Sequence, residues 1–303
     1  MNRRTFLGGL TAAGATLGLT TSHRVGAAGT PTALPLDEWA RPDWFTSAET
    51  SVVDQQHRVM VASDDEYNTA HIPYADHIDW QAIDLKDSRP ETVKAWVDKS
   101  IQVAMGHGIT SEGDLVIVDV GTLYAPRLFW VLTYLGRESM SILDGGTPAW
   151  AAAGGPLEQG PVIIDYVQMP PWDRKPNDSV LATLEDVSKA LDEGKTQFID
   201  ARTEKEFRGG HLPGAVNIPF LDNSVDSKGG AWKSPEDLNA MYSAKGIDRD
   251  TAIIPYCTTG VRSAATWFTL NALGYKDVRL FSGSWREWSA DASRPIETGT
   301  PAD

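Results

Sequence analysis

Cys257 is the only thiol in a chain of 303 residues, and its setting is that of a nucleophile. Ile253, Ile254, Pro255 and Tyr256 form an apolar run that ends at the sulfur. Thr258, Thr259, Gly260, Val261 and Arg262 make a short loop, and the residues from Ala264 to Leu270 read as a helix. A strand that turns tightly into a helix aims backbone N–H groups at the turn, with the helix N-terminus behind them, and such a nest favours an anion. A thiol placed there gives up its proton more readily and becomes a better nucleophile. Free cysteine is more often a small buried apolar residue, but the loop-start position and nearby Arg262 tip the reading toward a reactive thiolate. A single cysteine forms no internal disulfide, so this sulfur has no partner in its own chain.

The elements that must hold this loop occur twice. Val59 to Pro73 and Ile199 to Pro213 share, in the same order, a glutamate, an aromatic, a histidine, an aliphatic residue and a proline: Glu66, Tyr67, His71, Ile72 and Pro73 against Glu206, Phe207, His211, Leu212 and Pro213. Further on, the apolar run from Leu115 to Asp119 matches the run ending at Cys257, and the following helices end in Leu135-Gly136 and Leu273-Gly274. Gly145-Gly146 with Trp150 then answers Gly283-Ser284 with Trp288. The chain is a tandem duplication, and repeats of this kind set the architecture. Counted back from the shared Leu-Gly, Asp119 stands at the place of Cys257, so the first copy lacks the nucleophile.

Short β-rich runs alternating with helical segments predict, in each copy, a parallel sheet covered by helices on both faces. In the second copy strands are expected near 197–200, 215–217, 252–256 and 278–281, with helices near 184–193, 235–245 and 262–273. The proline-rich stretch 158–178, with Pro161, Pro170, Pro171 and Pro176, reads as a linker. It separates a first domain over 28–157 from a second over 179–303. Ligand sites often lie between domains, so the first copy is expected to add stability and one wall of a cleft.

Residues 1–27 read as an export leader: a charged start, a modest apolar stretch too rich in glycine and threonine to span a bilayer, and small residues before a cut. Arg3-Arg4-Thr5-Phe6-Leu7 points to the twin-arginine route, hence a periplasmic or extracellular protein. No cysteine lies near the cut, so no lipid anchor is expected there. That leader carries three arginines and no acid, so its loss takes the net charge from −14 to −17. Such an acidic balance argues against binding nucleic acid or anionic membrane through bulk charge.

In the second copy, Asp200-Ala201-Arg202 with Glu206-Phe207, the run from Gly210 to Asn217, the Cys257 to Arg262 loop and the segment from Gly283 to Trp288 together resemble the two-domain sulfurtransferases of the rhodanese family. The resemblance covers nearly the whole mature chain. It implies an α/β fold of two tandem rhodanese-like domains, with the second catalytic and the first, bearing Asp119, inactive. It also implies sulfane sulfur transfer: Cys257 takes the outer sulfur of thiosulfate as a persulfide, sulfite leaves, and an acceptor such as cyanide or a thiol removes the sulfur. Thr258, Thr259, Gly260, Val261 and Arg262 would then cradle the persulfide and the anionic donor. Arg202 matches the family's donor-binding arginine, Asp200 is expected to orient Arg202 or the loop, and His71 is a further substrate-binding candidate.

Thiosulfate enzymes of this family usually carry two cations directly after the cysteine, and 3-mercaptopyruvate enzymes usually carry Gly-Ser-Gly. Thr258-Thr259-Gly260 matches neither branch. Thiosulfate is the expected donor because Arg202 and Arg262 can both serve a dianion; 3-mercaptopyruvate is the alternative. A persulfide carrier without fast turnover is a third reading. Phosphatases sharing the fold use a Cys-x5-Arg loop, one residue longer than the Cys257 to Arg262 spacing here, which disfavours phosphate chemistry. No metal-ligand spacing and no phosphate-type glycine loop are present, so no cofactor is expected, and a monomer is expected.

Overall fold

The computed structural model describes residues 38–53, 56–162, 170–226 and 229–299; the expected leader lies outside them. The first half runs β1 (Phe45–Thr46), α1 (Ala48–Val53), β2 (His57–Val61), α2 (Asp64–Thr69), β3 (Asp76–Ile78), α3 (Pro90–Gly106), β4 (Leu115–Asp119), α4 (Ala125–Tyr134), β5 (Ser141–Leu143) and α5 (Gly146–Ala152). The second half runs α6 (Leu184–Glu193), β6 (Gln197–Asp200), α7 (Glu204–Arg208), β7 (Val216–Asn217), β8 (Ser224–Asp226), β9 (Gly229–Trp232), α8 (Pro235–Ala244), β10 (Ile253–Tyr256), α9 (Val261–Ala272) and α10 (Ser284–Trp288).

The first sheet is parallel throughout, in the order β1-β5-β4-β2-β3. The second repeats the inner part as β10-β6-β7. Where a strand is expected over 278–281, only isolated parallel bridges occur, Ile253 with Val278 and Leu181 with Leu280. The reason is Pro255. Ile253 N–H donates to Asp277 O and Arg279 N–H to Ile253 O, and Phe281 N–H donates to Pro255 O, but proline has no N–H to complete the ladder between them. The bridges nevertheless keep the five-stranded order of the first half.

Every residue of β4 and of β10 is buried, as central parallel strands covered on both faces require. Helix starts follow local chemistry. Ser63 with Glu66 and Thr203 with Glu206 form capping boxes at the matching positions before α2 and α7. The halves join through α4 and α9. Phe129 meets Phe268 edge-on at 5.0 Å between ring centroids, and Trp44 lies 4.7 Å from Phe129. Both phenylalanines are buried, and each such side chain contributes about 2–3 kcal/mol through removal from water.

Each half also reaches across the other. The β8–β9 hairpin, which the sequence pattern does not announce, donates Gly230 N–H to Gly121 O (2.8 Å) and Trp232 N–H to Asp144 Oδ1 (3.0 Å) in the first half. In return, the segment after β3 brings Asp84 to Arg286 (2.8 Å), and Ser88 N–H and Oγ–H to Glu287 Oε1 (2.8 and 2.9 Å). From the proline-rich stretch, Trp172 donates its indole N–H to Leu135 O at 3.0 Å. Glu158, at the expected start of that linker, instead pairs its backbone with His71. No helix among the described residues is long and apolar enough to cross a membrane.

Candidate active site

Strand register places the thiol. Ile117 of β4 pairs with Val59, and Pro255 of β10 pairs with Ile199. Two residues beyond Ile117 and Pro255 stand Asp119, the last residue of β4, and Cys257, the first residue after β10. The positions coincide in space as they do in the count from Leu-Gly.

Cys257 has no exposed surface. Its sulfur accepts from the Gly260 N–H at 3.1 Å, and its own N–H donates to Ser284 Oγ at 3.1 Å. Gly260 is required where it stands: its φ is +82°, and a Cβ there would lie 2.5 Å from Ser282 O. Burial by itself pushes the thiol's pKa up. It is outweighed by the Ser263 hydroxyl, then by the charge of Arg262, then by the backbone N–H groups of Ser263 and Thr259, and the net direction is down. Ser263 Oγ is buried and has no conventional hydrogen-bond partner among the described residues, so its dipole is free to serve the sulfur.

Arg262 does not point an uncommitted charge at a donor. Its Nη1 and Nη2 both donate to the Glu206 carboxylate at 2.8 Å, and Nη2 also donates to Thr258 Oγ1 at 2.6 Å. This bidentate pair holds Glu206 well below the usual carboxylate range. Thr258, Thr259 and Arg262 are half-buried, while Gly260 and Val261 are buried in the turn. Glu206 is a site residue that sequence reading treated only as one position of the repeated motif. The signal was its spacing: it occupies the same place as Glu66, which has no arginine at the position matching Arg262 (Tyr124 stands there).

Arg202, the expected donor-binding arginine, is turned inward in this structure. It does not stand open to a donor. It is 3% exposed and donates through Nε and Nη2 to Asp200 at 2.9 and 2.6 Å, and through Nη2 to Gly210 O at 2.6 Å. Its guanidinium also lies 4.6 Å from the Trp285 ring centroid. Trp285 N–H in turn donates to Cys257 O at 3.0 Å. A buried carboxylate two residues away captures the cation, so Asp200 and Arg202 brace the loop from below. His71, the other expected substrate contact, is placed inward as well. It is wholly buried, with Nδ1 3.0 Å from Tyr67 O and its ring stacked on Tyr67 at 4.1 Å. His211 repeats this on Phe207 O at 2.9 Å and on the Phe207 ring at 3.6 Å; both histidines tie a turn to a helix. No cluster fit to hold a metal occurs among the described residues.

The first half reaches the same neighbourhood through Tyr124 and Arg127, each near enough to feel the charge of Cys257. Its own loop holds a different anion. Asp119 Oδ1 accepts from the N–H groups of Gly121 (2.7 Å) and Thr122 (3.2 Å), and Oδ2 from those of Tyr124 (2.7 Å) and Ala125 (2.9 Å).

The rhodanese-like domain matches residues 49–153 and 183–291. The chain belongs to the rhodanese family. It is 30% identical to the sulfur carrier protein TtuD of Thermus thermophilus over 86% of this chain and 99% of that one. A putative thiosulfate sulfurtransferase of Haloferax volcanii is 30% identical, with 85% and 95% covered. The 3-mercaptopyruvate sulfurtransferase of Escherichia coli is 32% identical, with 77% and 85% covered. Among solved structures, the anaerobic ergothioneine biosynthesis enzyme of Chlorobium limicola shares the fold, with a TM-score of 0.71 at 20% identity over 86% of this chain and 72% of that one. This is a two-domain α/β enzyme of the rhodanese sulfurtransferase family.

Proposed function

We propose that the protein transfers sulfane sulfur from thiosulfate to a thiophilic acceptor through a persulfide on Cys257. The observation that carries this is the nest. The position that holds an acid in the first half, Asp119 with four N–H donors, holds the thiol in the second. There the local groups lower the thiol's pKa in spite of complete burial. A thiolate at that point attacks the outer sulfur of thiosulfate: the new S–S bond forms, the old one breaks, and sulfite leaves with the electron pair. The persulfide's outer sulfur carries the charge and is held by the loop N–H groups, as an oxyanion is held by preorganised donors. Cyanide then takes that sulfur as thiocyanate and returns the thiolate, which makes the reaction ping-pong.

Because Cys257 is buried and Thr258, Thr259 and Arg262 are half-buried, the donor enters past those three side chains. Arg262 remains the cation nearest the sulfur, shared with Glu206. Thr259 places a hydroxyl in the loop, which suits a 3-mercaptopyruvate donor as the second reading. Steady-state assays with both donors decide: thiosulfate is expected to give the higher kcat/KM, and a preference of about tenfold or more for 3-mercaptopyruvate, equivalent to about 1.4 kcal/mol, reverses the assignment. Cys257→Ser is expected to remove turnover by on the order of 10^4-fold or more. Export by the twin-arginine route is part of the same proposal, and Arg3→Lys with Arg4→Lys is expected to retain the protein in the cytoplasm.

A further inference from the structure

Arg127 is a cation that nothing in the reaction so far uses. It belongs to α4 of the non-catalytic half and has no exposed surface. Its Nη1 donates to Ser282 Oγ at 3.0 Å and its Nη2 to Ile83 O at 3.3 Å, while Nε has no partner among the described residues. Its guanidinium lies 5.0 Å from the Trp130 ring centroid. No carboxylate lies within ion-pair distance of it among the described residues, since Asp84, the nearest in effect, is committed to Arg286 at 2.8 Å. A buried charge without a counter-ion is costly and is rarely kept without a use.

What it faces is the sulfur loop. Ser282, which accepts from Arg127, lies against Gly260, and the adjoining Ser284 accepts from Cys257 N–H. Burial, partly offset by the charges of Asp84 and then Cys257, leaves Arg127 lowered to about 10, so the group stays cationic at neutral pH. The aligned position in the catalytic half is Ala265: the half with the thiol has no such cation, and the half without the thiol supplies it.

We propose that Arg127 is a positioning residue for Cys257, its buried charge stabilising the thiolate and persulfide across the domain interface while its bond to Ser282 holds the floor of the loop. This rests on the reading of Cys257 as the nucleophile. The other charged or titratable groups facing the sulfur are Arg262 with its partner Glu206, Tyr124, and the Asp84–Arg286 pair behind Arg127.

The test is a pH titration of the Cys257 thiolate by ultraviolet absorbance, together with the pH profile of alkylation, in the full chain and in Arg127→Met, Arg127→Lys and Ser282→Ala. The wild-type thiol is expected to titrate below an ordinary thiol; if it does not, the nucleophile reading itself fails. Arg127→Met is expected to raise the thiolate pKa by about one unit, a tenfold loss of thiolate at pH values below it, and Arg127→Lys to restore most of that. A folded Arg127→Met with the wild-type titration overturns the proposal. Should Arg127→Met not fold, Ser282→Ala decides. A smaller upward shift there supports the role, and an unshifted titration overturns it.

Discussion

The two halves close the same strand-to-helix turn around different acids. In the first half the acid is Asp119, whose two oxygens accept four backbone N–H groups. The loop needs Leu123 in the left-handed region (φ +58°) and starts its helix only at Ala125, before Pro126. In the second half the acid is Cys257, Gly260 takes the left-handed position at φ +82°, and the helix starts at Val261. The helix therefore starts four residues after the sulfur, against six after Asp119. The difference reaches deeper: where the catalytic half has the buried Asp200–Arg202 pair, the first half has Met60 and Ala62, both buried. The first nest holds an anion for stability, and the second holds one that comes and goes.

The largest expected effect of breaking this contrast lies under the loop. Arg202→Ala leaves Asp200 buried and unpaired and is expected to cost about 3–5 kcal/mol in denaturant unfolding. Combining Asp200→Met with Arg202→Ala, which installs the first half's residues, is expected to recover part of that stability while sulfur transfer stays impaired. Next comes Asp119→Asn. Its amide NH2 would face two of the four loop N–H groups, and a loss of about 2–4 kcal/mol is expected, with kcat of the folded enzyme unchanged. A lower kcat at full stability would show that the first nest takes part in the chemistry.

A smaller effect is expected at Asp144, which accepts from Trp232 of the crossing hairpin. Burial raises its carboxyl from 3.8 to about 7. An acid whose pKa is raised in the folded state supports stability below its unfolded value and loses that support as pH rises. Wild-type stability should therefore fall between about pH 4 and about pH 7 from this group, and Asp144→Asn should flatten that slope and be the more stable form at neutral pH. The smallest is Glu206→Gln, which keeps the capping box but releases Arg262 from its ion pair. The KM for thiosulfate is expected to fall about two- to fivefold; an unchanged KM would mean that the donor does not meet Arg262.

Much of this was legible in the chain. The duplication, the α/β class and Asp119 as the counterpart of Cys257 follow from ordered motifs, because two copies of one pattern constrain each other. The turn at Cys257 was legible because an apolar run, a glycine and a helix start are local signals. What was not legible depends on which partner a long side chain chooses. Arg202 and Arg262 are equally plausible donor contacts in sequence, yet Asp200, two residues from Arg202, captures one, and Glu206, 56 residues from Arg262, captures the other. The stack of His71 on Tyr67 is likewise a three-dimensional fact. Arg127 and the β8–β9 hairpin act across the interface, where spacing along the chain carries no signal. The strand expected over 278–281 failed on one residue, Pro255, whose missing N–H was already visible in the sequence.

The central claim is that the second nest holds sulfur on Cys257. Peptide mass spectrometry of the protein after thiosulfate treatment tests it most directly. The account predicts a gain of one sulfur atom on the peptide bearing Cys257, removed by cyanide and absent from Cys257→Ser; a protein that stays unmodified under conditions of turnover would contradict it.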